Sequence, residues 1–324
     1  MLIKERGIPP RILMNEALLN RLSNNHPMRY KIEEDLRKRF AGYKGEQQLD
    51  YHLESLTHNK NVRVFHDLRL PLRDYYFQID TLLLTPFCIL IIEVKSIAGT
   101  VTFFNEFNQY TRKINNQEEG FSNPLSQAKR HQRQLRDWLT MYNIPSLPID
   151  YLVVISNPST IIRTTNPNKR ELSKVIHLED VMSKIIEVTS NKKELVSQKI
   201  MNKMTKQLLK SNVQYKPSPE KTYNISTHDI VTGVQCPECL LIPMIRMRGK
   251  WKCSTCSTYS KDAHIRALED YYYLVSPEIT KKKLRSYLHL HSRRTAVDIL
   301  SSLKIESEGD NRGRIYYLAP KLIQ

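Results

Sequence analysis

The chain has 324 residues, 40% of them hydrophobic and 26% charged, which is enough apolar material for a sizeable core in two or three domains. Lys and Arg outnumber Asp and Glu by 50 to 33, for a formal net charge of +17 at pH 7. This excess excludes an acidic solvating chain and fits a polyanionic partner, nucleic acid or an acidic membrane surface, without choosing between them.

The opening stretch "MLIKERGIPPRILMNEALLNRL" places Lys4, Glu5 and Arg6 where a signal peptide needs an unbroken apolar core. No later run approaches the roughly 18 uncharged apolar residues of a membrane span. An intracellular, cytoplasmic protein that makes no membrane contact is expected, with residues 1–28 as an N-terminal extension. In such a reducing compartment, paired cysteines point to metal rather than to disulfides.

"RYKIEEDLRKRFAGYKGEQQLDYHLESL" predicts two helices broken at Gly42 and Gly45, with Leu49, Leu53 and Leu56 as the apolar stripe. The period then shortens: "VRVFHDLRL", "YFQIDTLLL", "CILIIEVKS" and "GTVTFF" read as strands. After a polar stretch, "NPLSQAKRHQRQLRDWLTMY" predicts a helix opening at Asn123-Pro124 and burying Leu125, Ala128, Leu135, Trp138 and Leu139. "IDYLVVIS" reads as a buried strand. The order of elements is that of an α/β domain over residues 29–210. The lysine-rich helix within residues 192–216 either touches phosphates or is a solvated face, and residues 211–228 read as a linker.

Within the strands, "QIDTLLLTPFCILIIEVKS" sets Asp80, Glu93 and Lys95 in an apolar run. A hairpin bending at Thr85–Cys88 pairs Leu84 with Ile89, puts Asp80 opposite Glu93 and Gln78 opposite Lys95, and leaves Ile79, Ile92 and Val94 on the other face. Pro86 rules out a tight primed turn there. Cys88, alone in this run, reads as a core residue. Opposed carboxylates in apolar surroundings repel, and a Mg²⁺ ion with its oxygen ligands would compensate. A structural ion pair guarding a sheet edge through Lys95 is the alternative.

Asp80 followed by Glu93-x-Lys95 resembles the signature of the PD-(D/E)xK nuclease superfamily. The surrounding blocks "GEQQLDYHL", "FHDLRL", "QIDTLLLTPFCILIIEVKSIAGTV", "NPLSQAKRHQRQL" and "YLVVIS" narrow the resemblance to the nuclease-related domain (NERD) family over roughly residues 30–190. The resemblance implies a restriction-endonuclease-like core, a mixed sheet flanked by helices. It also implies a metal-dependent deoxyribonuclease whose Mg²⁺ or Mn²⁺ is held by Glu46, Asp80 and Glu93. Lys95 would stand beside the attacking water, and Gln127 on the following helix would hold the site together. Lys129, Arg130, Arg133 and Arg136 suit that helix to a DNA backbone. Pro86-Phe87 departs from the glycine expected at the bend.

"CPECLLIPMIRMRGKWKCSTC" spaces Cys236, Cys239, Cys253 and Cys256 as two CxxC knuckles, the pattern of a closed structural Zn²⁺ site, with a hairpin turning at Gly249. Residues 229–260 resemble a zinc ribbon, an accessory for nucleic acid or a protein partner. Arg246, Arg248, Lys250 and Lys252 would form its basic face. Residues 261–324 predict three short helices and a hairpin with a loop at Gly309–Gly313, similar to a winged helix. A Ser292 cap would present Arg293 and Arg294, and Arg312 and Arg314 would reach DNA from the wing. A helical packing domain with solvated charges is the other reading of this tail. For the whole chain the expectation is a DNA nuclease. A non-catalytic DNA-binding scaffold on a nuclease fold and a protein-binding assembly factor are the rivals.

Overall fold

The computed structural model describes residues 1–104, 108–145, 147–165, 172–189 and 193–319, apart from the side chain of Arg312. The chain forms two compact units, one of Met1–Ile8 with Phe40–Tyr215, the other of Pro9–Arg39 with the chain from Lys216 onward. A strand at Leu2–Lys4 (β1) is followed by helices Pro10–Arg21 (α1) and Arg29–Thr57 (α2). The expected extension of residues 1–28 is therefore divided between the units. Its first residues join the first unit because β1 pairs in parallel with the strand Arg63–Leu72 (β2), Leu2 beside Val64 and Lys4 beside Phe65.

The break expected at Gly42 and Gly45 is absent, and α2 runs through both. Gly45 serves a close approach instead: a Cβ there would lie 3.2 Å from the Cβ atoms of Ser96 and Ser156 and closer still to the Ser156 hydroxyl. Glycine inside a helix costs about 1 kcal/mol relative to alanine. Packing of the helix against these two serines offsets that cost.

The first unit is a mixed six-stranded sheet in the order β1-β2-β3-β4-β8-β10, with β2 at Arg63–Leu72, β3 at Tyr75–Leu84, β4 at Ile89–Lys95, β8 at Ile149–Ile155 and β10 at Val175–His177. The β3–β4 hairpin closes with Thr85 N–H donating to Cys88 O at 3.0 Å, while Thr85 Oγ1 accepts from the N–H groups of Phe87 and Cys88. Residues alternate across β4. Ile89 and Ile91 join one core with Leu125, Ala128, Leu135, Trp138 and Leu139 of the helix Pro124–Met141 (α3). Leu90, Ile92 and Val94 join the opposite core with Leu49 and Leu53 of α2, and Cys88 is buried there as well.

The alternation slips in β2 and β3. Asp67 takes φ 52°, and Phe65 and Leu68, like Leu82 and Ile79, share one core although three residues apart. Ile79 therefore packs with Phe65 rather than with Ile92 and Val94. The polar stretch after residue 104 contains two further strands, Gln109–Ile114 (β6) and Gln117–Ser122 (β7). With Thr100–Phe104 (β5) and Ile161–Thr164 (β9) they form a second sheet in the order β7-β6-β5-β9. The helix Gln198–Ser211 buries Met201, Met204 and Leu208 and leaves Lys199, Lys203, Lys206 and Lys210 exposed, which is the solvated-face reading of its lysines.

In the second unit the expected linker is ordered. Ser218 caps the helix Pro219–Tyr223, and the buried Tyr223 hydroxyl donates to Asp35 Oδ2 at 2.9 Å. Arg21 is wholly buried, with Nε 2.7 Å from Asp270 Oδ2 and Nη1 donating to Gly233 O at 2.6 Å. Three short strands, Ile245–Arg246 (β11), Trp251–Lys252 (β12) and Tyr259–Ser260 (β13), form a small sheet in that order, and Gly249 between the first two has φ +74°. The chain continues as helix His264–Leu274, strand Glu278–Thr280 (β14), helices Lys281–Tyr287 and Arg293–Ser302, and strands Ser307–Glu308 (β15) and Ile315–Tyr317 (β16). The last sheet has the order β14-β16-β15. No helix among the described residues is long and apolar enough to cross a membrane.

Candidate functional site

The β3–β4 ladder keeps the expected register from Leu84–Ile89 to Thr81–Ile92 and ends there. Beyond it the strands part. The Val94 N–H is taken by Asp80 Oδ2 at 3.2 Å, and Gln78 pairs with Arg69 on β2 rather than with Lys95. Asp80 thus reaches across the gap by its side chain instead of lying in a paired position opposite Glu93.

Glu93 is 1% exposed in the middle of the sheet, between β3 and β8. Its Oε1 accepts from Lys95 Nζ at 2.8 Å and from Gln127 Nε2 at 2.6 Å, while Gln127 Oε1 accepts from Lys95 Nζ at 3.1 Å. Glu93, Lys95 and Gln127 therefore close a triangle that fixes all three rotamers. Because β4 is an interior strand, the triangle guards no sheet edge, which removes the basis of that alternative. The other oxygen, Oε2, is buried without a hydrogen-bond partner, and His131 Nδ1 lies 3.5 Å away, also without one.

Electrostatics follow from this burial. Desolvation first, then the Glu93 and Glu46 carboxylates, push the Asp80 carboxyl well above its ordinary range. Burial opposes the ionisation of Glu93 too, but His131 and Lys95 outweigh it and hold this carboxyl below its usual range. Burial pulls the Lys95 ammonium down, and the neighbouring Glu93 more than reverses the effect, so Lys95 stays charged.

Glu46 sits in a second cluster, which the sequence reading missed. Arg6, its side chain 3% exposed, donates from Nη1 to Glu46 Oε2 at 2.7 Å and to Asp67 Oδ1 at 3.0 Å. Its Nε and Nη2 make a bidentate pair with Asp50 at 2.8 and 3.0 Å, and Nη2 donates to Thr81 Oγ1 at 2.9 Å. Arg6 Nη2 also lies 3.1 Å from His66 Nδ1, and burial lowers the His66 pKa to about 4, which keeps this ring neutral. Burial raises Glu46 to about 7 against the pull of Arg6, with Asp67, Asp50 and Glu93 adding to the rise.

Five carboxylates, Glu46, Asp50, Asp67, Asp80 and Glu93, are thus linked by contact or charge to Lys4, Arg6 and Lys95. The excess of acids over fixed cations, a Glu93 Oε2 that accepts no hydrogen bond and has only His131 Nδ1 at 3.5 Å, and the oxygen donors of the acids fit a hard divalent cation. Glu46, Asp80 and Glu93 do not form a tight cage. Among the described residues, only Cys236, Cys239, Cys253 and Cys256 bring three or more such ligand atoms within 4.8 Å of one another. Arg6 was legible as a polar residue near the N-terminus but not as a partner of acids 40 to 61 positions later. His131 left a trace in the sequence, since it lies on the same buried stripe of α3 as Ala128 and Leu135.

The four cysteines do converge. Sγ of Cys236 lies 3.5 Å from that of Cys256, and Sγ of Cys239 lies 3.5 Å from that of Cys253. Four thiolates around a tetrahedral ion of ~2.3 Å metal–sulfur bonds stand about 3.8 Å apart, so the group can hold a metal with little adjustment.

The expected basic residues divide. Lys129, Arg130, Arg133 and Arg136 are exposed along α3, and Arg248, Arg293 and Arg294 are exposed in the second unit. Ser292 Oγ accepts from the Thr295 N–H, the expected cap. Arg246 leaves the basic face: its guanidinium stacks 5.0 Å from the Trp251 ring, and Nη1 is buried. Arg314 is half-buried, with Nε donating to Gly309 O at 3.0 Å, while the Arg312 side chain lies outside the described residues.

Comparison with curated proteins and with solved structures finds no match to the chain. The family model described as "Nuclease-related domain", NERD, matches residues 41–156, the stretch that carries Glu46, Asp80, Glu93, Lys95 and Gln127. This part of the chain is a nuclease-related domain.

Proposed function

We propose that the first unit hydrolyses DNA phosphodiester bonds with Mg²⁺ or Mn²⁺, and that the cysteine group holds a structural Zn²⁺. The observation that carries the reading is the half-buried Asp80 beside the buried Glu93, with Lys95 fixed by Glu93, inside a domain matched as nuclease-related. Asp80 and Glu93 would hold the ion, and Glu46 would complete the acidic set. A bound divalent ion would supply a water of lowered pKa and polarise a phosphoryl oxygen. Lys95, kept charged by Glu93, meets negative charge developing on the phosphate. Gln127 ties α3 to β4, so the exposed Lys129, Arg130, Arg133 and Arg136 on that helix are set to engage the phosphate backbone.

In the second unit, saturation by four cysteines leaves no open coordination position, which gives the zinc a folding role. The order helix, strand, two helices and two strands supports a winged-helix reading, with Arg293 and Arg294 at the exposed start of its third helix. The purified full chain incubated with supercoiled, linear, branched and single-stranded DNA should cut at least one substrate when Mg²⁺ or Mn²⁺ is added and none in excess chelator. Failure to cut any substrate with either ion would overturn the reading.

A further inference from the structure

Among the described residues of the first unit, Arg6 is the most heavily engaged cation, and the acids it meets come from two elements: Glu46 and Asp50 from α2, Asp67 from β2. Its position is built rather than incidental. The Met1 amino group donates to the carbonyls of Asn59 and Val62, and β1 pairs along β2, so the chain delivers the guanidinium to one place. Lys4 is tied down separately, with Nζ donating to His66 O at 2.7 Å.

Resting on the metal-dependent reading above, we propose that Arg6 is a positioning residue that fills, as a permanent guanidinium, the place a second cation would take among Glu46, Asp50 and Asp67. The site therefore takes one divalent ion. Three partly buried carboxylates this close require a compensating charge. A planar fork bonded to three of them supplies that charge without exchange with solvent and orients Glu46 through Nη1. Lysine, a point charge, could neutralise but not reproduce the fork.

The test counts Mn²⁺ ions by calorimetry and paramagnetic resonance on the zinc-loaded full chain. The wild type should bind one Mn²⁺, lost in Asp80→Asn. Arg6→Gln should gain a second ion that adding Asp50→Asn removes, whereas Arg6→Lys should stay at one. A second Mn²⁺ on the wild type that Asp50→Asn abolishes would overturn the proposal, as would a folded Arg6→Gln chain whose count is unchanged. The wild-type count, with and without Asp50→Asn, decides the matter even if Arg6→Gln does not fold. Absence of any Asp80-dependent Mn²⁺ is the distinct result that would sink the metal-dependent reading itself.

Discussion

At the residue scale, the first unit keeps acids where burial and mutual repulsion disfavour them. Asp80 is the clearest case, held well above its ordinary range by desolvation and by Glu93. Asp80→Asn preserves an acceptor for the Val94 N–H and removes the repulsion. It should raise the stability of the metal-free chain by about 1 kcal/mol while abolishing Mn²⁺ binding. Thermal melts in chelator, where an unchanged or lower midpoint would contradict the account, check this. His264 makes a second prediction. Burial first, then Arg246, lowers its pKa to about 4, and its Nδ1 accepts from the Trp251 indole at 3.2 Å. The unfolded chain takes up this proton below about pH 6.5, whereas the folded one stays neutral down to about 4, so unfolding binds a proton in that window. The contribution is fully present above pH 6.5 and is lost as the pH falls towards 4, with a ceiling of about 3 kcal/mol. In His264→Gln the acid-side loss should be smaller than in the wild type. Parallel pH–melt curves for the two would refute this role.

At the element scale, α2, β4 and α3 carry the site, and their legibility in the sequence differs for physical reasons. The stripe of α3 and the Asn123-Pro124 start were legible because local periodicity and capping dictate them. The β3–β4 register from Leu84–Ile89 followed from the turn, but the parting of the strands at Asp80 did not. It depends on the slip at Asp67 in the neighbouring strand, which no local pattern announces. Gly42 and Gly45 suggested a helix break because glycine is intrinsically unfavourable in helices. The close approach to Ser96 and Ser156 that makes Gly45 useful is a tertiary fact. Gly45→Ala should therefore lose about 1 to 2 kcal/mol through overpacking despite alanine's better helix propensity. Combining it with Ser156→Gly should recover most of that loss. A stabilised Gly45→Ala single variant, measured by chemical denaturation, would show that the approach is unimportant.

At the scale of the whole molecule, the nuclease-related stretch and the cysteine block were legible because each has a fixed spacing of chemistry-bearing residues. The boundaries were not. Residues 1–28 contribute to both units, and the segment read as a linker is partly helical, because strand pairing by β1 and the burial of Tyr223 are long-range contacts. The zinc proposed for the four cysteines should supply much of the stability around them, on the order of 10 kcal/mol of binding free energy. Removal of one zinc per chain by a strong chelator should speed amide exchange in Cys236–Leu274 and leave β4 and β8 protected. Unchanged exchange throughout would contradict a folding role for the metal.

The central claim, that Asp80, Glu93 and Lys95 work together as a hydrolytic site rather than as a buried scaffold, is tested most directly by comparing cleavage and binding of one DNA substrate. Wild type, Asp80→Asn and Lys95→Met would be measured side by side in Mg²⁺. The account predicts that both variants cut at least about 100-fold more slowly while binding the DNA with little change. Cutting at the wild-type rate by either variant would contradict it.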